Sequence, residues 1–402
     1  MNDPENQLLL CCVRHDVDAP TAGRIRALVE GDLDWTRLIR EALRHRITDL
    51  LYRSLRESCP DEVPEALLDA LRVHVEQNAA RARTLADELL AIVAECEGRS
   101  VTVIPFKGPT LAALAFGDFR LRTYGDLDLM VREQDVPEIS DVLTARGYDR
   151  DDVQDPPLPE HLEAAYRRYE RQIVFVRRRD GVVIEPQWAV TTRMLAFAVD
   201  YEALRARAAP IDFEGRRVMS YALEDLLLLL CIHGIKHYWC ELRWVADIGA
   251  LIDARPLMDL ELCLRRAEAQ GCGRVVLLGL ALSQAVLGTV LPGPVRRRID
   301  GDSVCRDLVA ETIDGLFRED YVPPQPLLLT SYRMRVRERL RDRALWVWRT
   351  VFTPRVPHFG LVRLPPALCF LYYPIKIVHD YVLLPGWLAV RSIRSQSPER
   401  QS

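Results

Sequence analysis

Lysine is almost absent from this chain of 402 residues: Lys107, Lys236 and Lys376 are the only ones among 54 Lys and Arg. A GC-rich coding bias replaces Lys by Arg wherever either cation serves, so the surviving lysines draw interest to their surroundings. Metal-type cysteine spacing is missing as well. The ten cysteines lie at irregular intervals, with Cys11-Cys12 the only close pair and no CxxC, which predicts ordinary reduced thiols. Long apolar runs are lacking: Leu364–Val390 is the most apolar stretch, but four prolines with Lys376, His379 and Asp380 interrupt it, making it a poor membrane span. The start, Met1-Asn2-Asp3-Pro4-Glu5, has no basic n-region of a secretory signal. A surplus of positive charge is also absent. The net charge of −4 argues against a nucleic-acid-coating protein, and no strong basic or aromatic track for RNA or DNA is visible. These absences predict a cytoplasmic location. Attachment to a membrane surface has in its favour only the Arg- and Trp-containing run Arg333–Arg349, which reads first as an amphipathic helix with a solvated basic face.

What is present is a globular composition, 49% hydrophobic and 28% charged, long enough for a substantial core. Residues 1–98 carry apolar side chains three and four apart, as in Trp35, Leu38, Ile39 and Leu43, and predict a helical region in which Asp34 caps a helix beginning at Trp35. Residues 99–190 change texture. A β-branched run over 100–106 predicts a buried strand, Pro109–Ala115 a helix, Leu127–Val131 a second strand, and Val136–Arg146 a helix ending at Gly147. Ile173–Arg177 and Val182–Glu185 predict a hairpin about Asp180-Gly181. Residues 191–300 return to helix, with Leu223–Ala254 read as one element, then Leu257–Gln270 and Arg274–Leu291. Residues 301–402 are rich in Arg and Pro, with weak periodicity and uncertain structure. The fold class is α+β: a small mixed-sheet core flanked by helical regions, the 191–300 helices covering the site.

The chemistry lies on the second strand. Alternation along Asp126-Leu127-Asp128-Leu129-Met130-Val131 sends Leu127, Leu129 and Val131 to one face, Asp126 and Asp128 to the other. Two carboxylates side by side on a rigid strand call for a hard cation, Mg²⁺ or Mn²⁺. Glu185, ending the apolar strand Val182-Val183-Ile184, offers a third. Three such groups on neighbouring strands can hold two metals ~4 Å apart. Lys107-Gly108 lies where a strand passes into a helix, a natural phosphate cradle. Thr110 adds a hydroxyl and Arg122 a cation within reach of the same triphosphate. In the later helix His233, Lys236 and His237 share one side, and continued helical spacing adds Cys240, Trp244 and Asp247. That side reads either as a wall over a nucleotide, with Lys236 on phosphate and His233 or Trp244 near base or acceptor, or as packing with an Arg243–Asp247 pair. A zinc site at His233 and His237 lacks a third ligand.

These motifs resemble the polymerase-beta-type nucleotidyltransferase superfamily and, more closely, a bacterial family of uncharacterised nucleotidyltransferases. The resemblance rests on Lys107-Gly108, on Arg122-Thr123-Tyr124-Gly125-Asp126-Leu127-Asp128-Leu129 and on Gly147-Tyr148. Asp34-Trp35, Glu185-Pro186-Gln187-Trp188 and His233–His237 extend it over most of the chain. It implies a catalytic, metal-binding triad of Asp126, Asp128 and Glu185, with Lys107 and Gly108 contacting phosphates. Pro109 stands where the superfamily has Ser, and Gln187 where the family more often has His. The implied reaction moves a nucleoside monophosphate from an NTP, ATP first, to a small hydroxyl- or phosphate-bearing acceptor, releasing pyrophosphate. A protein side chain or a tRNA end is the next acceptor class, and a non-catalytic nucleotide-binding scaffold of the same fold is the rival reading.

Overall fold

Four short helices open the chain: α1 Pro4–Cys12, α2 Ala19–Val29, α3 Trp35–Arg44 and α4 Thr48–Ser58. Asp3, Asp18 and Asp34 cap the first three by accepting the backbone N–H of Glu5, Thr21 and Arg37, so the cap expected at Asp34 is present. The computed structural model describes residues 3–151, 170–192, 195, 197–318, 321–322 and 330–383. The end of the apolar stretch (384–390) and parts of the Arg/Pro-rich region (319–320, 323–329, 384–402) lie outside the described residues. After Pro60 and Pro64 the long helix α5 Glu65–Glu97 spans two cores. Leu71 joins the helical core, whereas Leu85, Leu89, Ile92 and Val93 pack beneath the sheet.

The sheet has the order β1-β2-β5-β4-β3. Its strands are β1 Ile104–Pro105, β2 Asp126–Met130, β3 Asp149–Arg150, β4 Phe175–Arg177 and β5 Val182–Gln187. Helix α6 Gly108–Phe116 connects β1 to β2, and α7 Val136–Ala145 leads to β3. The strand expected over 100–106 shrinks to two paired residues, Ile104 opposite Met130 and Pro105 opposite Leu129, and Pro105 brings no N–H to a ladder. Strands β2 and β5 are parallel, with Asp128 in register with Glu185. The hairpin β4–β5 forms about Asp180-Gly181 as expected, and Gly181 takes the positive φ (+66°) that its turn requires.

Helix α8 Tyr201–Ala206 precedes a second hairpin, β6 Ala209–Phe213 and β7 Arg216–Ser220, which the apolar pattern did not announce. Its signal is Glu214-Gly215, both at positive φ, the pairing a tight two-residue turn needs. The span Leu223–Ala254 is two helices, not one: α9 Leu223–Lys236 and α10 Leu242–Ala254. The break is tertiary in origin. Tyr238 and Trp239 turn left-handed, Trp239 donates its N–H to the Gly234 carbonyl, and its buried indole lies where any Cβ on Gly234 would come within 2.5 Å. Then follow α11 Leu260–Ala269, α12 Gly273–Leu287, α13 Gly293–Gly301 and α14 Ser303–Leu316. Together with α1–α4 they close the larger apolar core.

Past residue 330 lie α15 Ser331–Val336 and α16 Leu340–Phe352. The run Arg333–Arg349 is therefore not one helix with a solvated basic face. Arg333 and Arg337 are each 1% exposed: Arg333 donates to the Lys236 carbonyl (2.7 Å), and Arg337 stacks over Phe197 and Trp346. Arg333 thus ties the end of α9 to α15, and Arg337 ties Leu195 and Phe197 to α15 and α16.

Candidate active site

The two faces of β2 separate as the alternation requires. Leu127, Leu129 and Val131 are buried in the core beneath the sheet. Asp126 and Asp128 line a cavity of about 370 Å³ on the other side, with Lys107, Gly108, Arg122, Arg171, Glu185, His233, Lys236, His237, Arg243 and Trp244. That volume is in the range of small-molecule sites, roughly 300–1,000 Å³. A larger cavity of about 640 Å³ beside Trp188 and Tyr201 has none of the expected site residues in its lining.

The sheet register does the positioning. Because Asp128 and Glu185 are partners on parallel strands, their side chains leave the sheet on one face. Gln187, two residues on, shares that face. Its amide nitrogen donates to Asp128 Oδ1 and to Glu185 Oε2 (3.2 Å), and its oxygen accepts from Arg171 (2.8 Å). The residue that departs from the family pattern thus ties two carboxylates together. Lys107, two residues past β1 and immediately before α6, places Nζ 2.8 Å from Asp128 Oδ2. Gly108 takes φ +67° at the first turn of α6. A Cβ there meets nothing closer than 3.7 Å, so the glycine answers a backbone need rather than a tight approach.

Charge crowding shows in the proton affinities. Burial, then Asp128 and Asp126, push Glu185 up to about 7. Burial and Asp128 also raise Asp126. Burial acts upward on Asp128 too, but Lys107, Arg171 and Lys236 outweigh it and hold the group below the usual carboxylate range. On the opposite wall burial, with Arg171 and Lys107 nearby, drives the Lys236 ammonium well below the lysine range. His233 and His237 fall for the same reason, burial first and neighbouring cations second, and remain neutral.

Two expected phosphate contacts sit differently. Arg122 is 6% exposed and committed to Asp247, with Nε to Oδ1 at 2.8 Å and Nη2 to Oδ2 at 2.9 Å. The expected Arg243–Asp247 pair is replaced: Arg243 pairs with Glu241 and donates to the Thr123 carbonyl (3.2 Å). Thr110 is buried, and its hydroxyl donates to the Lys107 carbonyl (3.3 Å), bracing the turn rather than lining the cavity. Despite the helix break, His233, His237 and Trp244 meet. Ring centroids lie 4.7 Å apart for His233–His237 and 5.1 Å for His237–Trp244, the latter tilted by 31°. The Trp244 N–H is buried with no hydrogen-bond partner among the described residues. Arg171 and Arg46 were missed from sequence, since neither sits in a motif; Arg171 enters the site because its neighbour Gln172 bridges to Gln187 and its own guanidinium donates to the Gln187 side chain.

The donor set suits a hard divalent cation: three carboxylates on one wall, two raised first by burial and then by mutual repulsion, which a dication relieves. Their oxygens do not all lie within 4.8 Å of one another; among the described residues only His358, His379 and Asp380 have ligand atoms that close. Lys107 and Gln187 meanwhile hold Asp128 by its two oxygens. No curated protein matches the chain. The model of one family does match, over residues 31–288, taking in the N-terminal helices from α3, the sheet and the cavity-lining helices α9 and α10. Nucleotidyltransferases generally use divalent metals, in keeping with this carboxylate wall. The chain belongs to the family of uncharacterised nucleotidyltransferases and is an enzyme that transfers nucleotidyl groups.

Proposed function

We propose that the enzyme transfers a nucleoside monophosphate from an NTP, ATP first, to a small hydroxyl- or phosphate-bearing acceptor and releases pyrophosphate. The observation that carries this is the register of Asp128 with Glu185, with Asp126 two residues away, opposite a wall bearing Lys236. Asp126, Asp128 and Glu185 would hold Mg²⁺ or Mn²⁺, which when bound supplies Lewis acidity at the phosphates. The protein's own groups do the rest. Lys107, the Gly108 turn and Lys236 face the triphosphate, and a polyanion there reverses the depression of the Lys236 ammonium. Arg122 acts through its charge and by bracing α10, and Thr110 by stiffening the turn at Lys107. His233, His237 and Trp244 form the seat for the base, with the unpartnered indole N–H as a donor to it. Glu185 or Asp128 would accept the proton of the acceptor hydroxyl. The acceptor oxygen then bonds to the α-phosphorus as the α–β bridging bond breaks and pyrophosphate departs.

Screening pyrophosphate release with phosphorylated and hydroxylated acceptors tests this, using wild type and Glu185→Gln. The expected result is acceptor-dependent release that falls at least about a hundredfold in the variant. Equal release by both proteins defeats the role given to Glu185, and NTP binding that survives loss of Asp128 with no pyrophosphate released defeats the reading in favour of a non-catalytic nucleotide-binding role.

A further inference from the structure

Exposed apolar surface is concentrated in one part of the molecule. Eleven large hydrophobic side chains between Leu340 and Leu383 stand exposed, including Trp348 at 63% and Phe370 at 62%. Helix α16 shows how. At 100° per residue Arg341, Leu345, Trp348 and Phe352 share one face, while Trp346 and Thr350, both buried, occupy the other. Trp348 and Phe352 stack with ring centroids 4.3 Å apart. Tyr372–Val378, a further helix, packs against α16 and continues the apolar surface through Val378 and on to Tyr381. Scattered apolar residues need no explanation, but this density marks an interaction surface.

Charge identifies the occupant. Residues 340–383 hold six Arg and Lys against two Asp, in a chain whose net charge is −4. The one cluster with metal-ligand spacing there is already satisfied: Asp380 accepts from Arg355 and Lys376 (2.6 Å each), His358 (3.0 Å) and His379 (2.8 Å). A dication at Asp380 would face two cations, so that cluster anchors the local fold. Arg363 is exposed, and so is Arg341, 74% accessible although its guanidinium lies 3.4 Å from Asp342. A second copy would bring the same positive surface against itself across a two-fold axis. Residues 384–402 add three Arg and one Glu, so the chain end carries the same sign.

We propose that this face docks the enzyme on an anionic lipid surface. Trp348, Phe352 and Phe370 enter the headgroup region, where aromatic rings partition best, and Arg341 and Arg363 pair with lipid phosphates. Among the described residues no helix is long and apolar enough to cross a membrane, so this element lies on the bilayer.

The test is co-flotation of the full-length protein with phosphatidylcholine vesicles, with and without phosphatidylglycerol, at low and high salt. The protein is expected to float only with the anionic vesicles and to be released by salt. Trp348→Glu/Phe370→Glu and Arg341→Glu/Arg363→Glu are each expected to weaken partitioning by about tenfold or more. Both variants should keep wild-type melting temperature and nucleotide binding, since none of these residues lines the cavity. No flotation with anionic vesicles at low salt overturns the proposal. So does a lipid-free dimer that Trp348→Glu/Phe370→Glu dissociates, which gives the face to a second copy. Flotation that survives both variants but is lost on deleting residues 384–402 assigns the contact to the chain end and overturns it too.

Discussion

Asp247→Asn removes one half of the buried bidentate pair that joins the loop before β2 to α10. Both side chains are nearly inaccessible, 5% for Arg122 and 3% for Asp247, and both hydrogen bonds are short and paired in fork geometry. Removing one partner strands the Arg122 cation out of water, which costs about 3–5 kcal/mol. For a chain of this size that lowers Tm by roughly 4–6 °C. Scanning calorimetry or fluorimetry of wild type and Asp247→Asn reads the loss directly. The compensated variant Arg122→Met/Asp247→Leu replaces the pair by apolar side chains and should recover most of the stability, because the desolvation penalty leaves with the charges. Its nucleotide affinity should still fall several-fold, since Arg122 also contributes positive charge near Asp126 and Asp128. An Asp247→Asn protein that melts within a degree of wild type refutes the reasoning. So does a double variant no more stable than the single one.

Other consequences follow from the same geometry. Glu185 is raised from 4.5 to about 7, so in metal-free protein its contribution is fully present below pH ~4.5 and is lost as pH rises through 7. The loss reaches about 3 kcal/mol at most, and chemical denaturation across pH should show it in wild type but not in Glu185→Gln. Nucleotide binding should take up protons, because a triphosphate restores the charge on Lys236. Calorimetry in buffers of different ionisation enthalpy measures the uptake, which Lys236→Met should reduce. Trp244→Phe keeps the aromatic bulk but deletes the N–H, and should weaken NTP binding about five- to tenfold. Gly234→Ala places a methyl within 2.5 Å of the Trp239 ring and should cost about 1–3 kcal/mol by overpacking, read as a lower Tm.

Local chemistry makes much of the site's layout legible in the sequence. Alternation on β2 sorts Asp126 and Asp128 from Leu127 and Leu129, Asp180-Gly181 marks the hairpin that presents Glu185, and Asp34 announces α3. Each signal lies within a few residues of its effect. What escaped depends on distant partners. Arg122 finds Asp247 across 125 positions, and Gln187 gains its role from Asp128 on the neighbouring strand and from Arg171 ahead of β4. The helix break after Lys236 follows from Trp239 folding onto Gly234, while helical periodicity runs straight through it. Arg333 and Arg337 look solvated by composition and are buried because α9 and Trp346 offer a carbonyl and a ring.

The most direct measurement is a titration of each of the four NTPs with Mg²⁺ into wild type and Asp126→Ala/Asp128→Ala, with both proteins confirmed folded. The account predicts Mg²⁺-dependent binding of at least one nucleotide by wild type, lost in the double variant. Equal binding of all four by both proteins, or binding indifferent to Mg²⁺, contradicts the claim that these carboxylates form the nucleotidyl-transfer site.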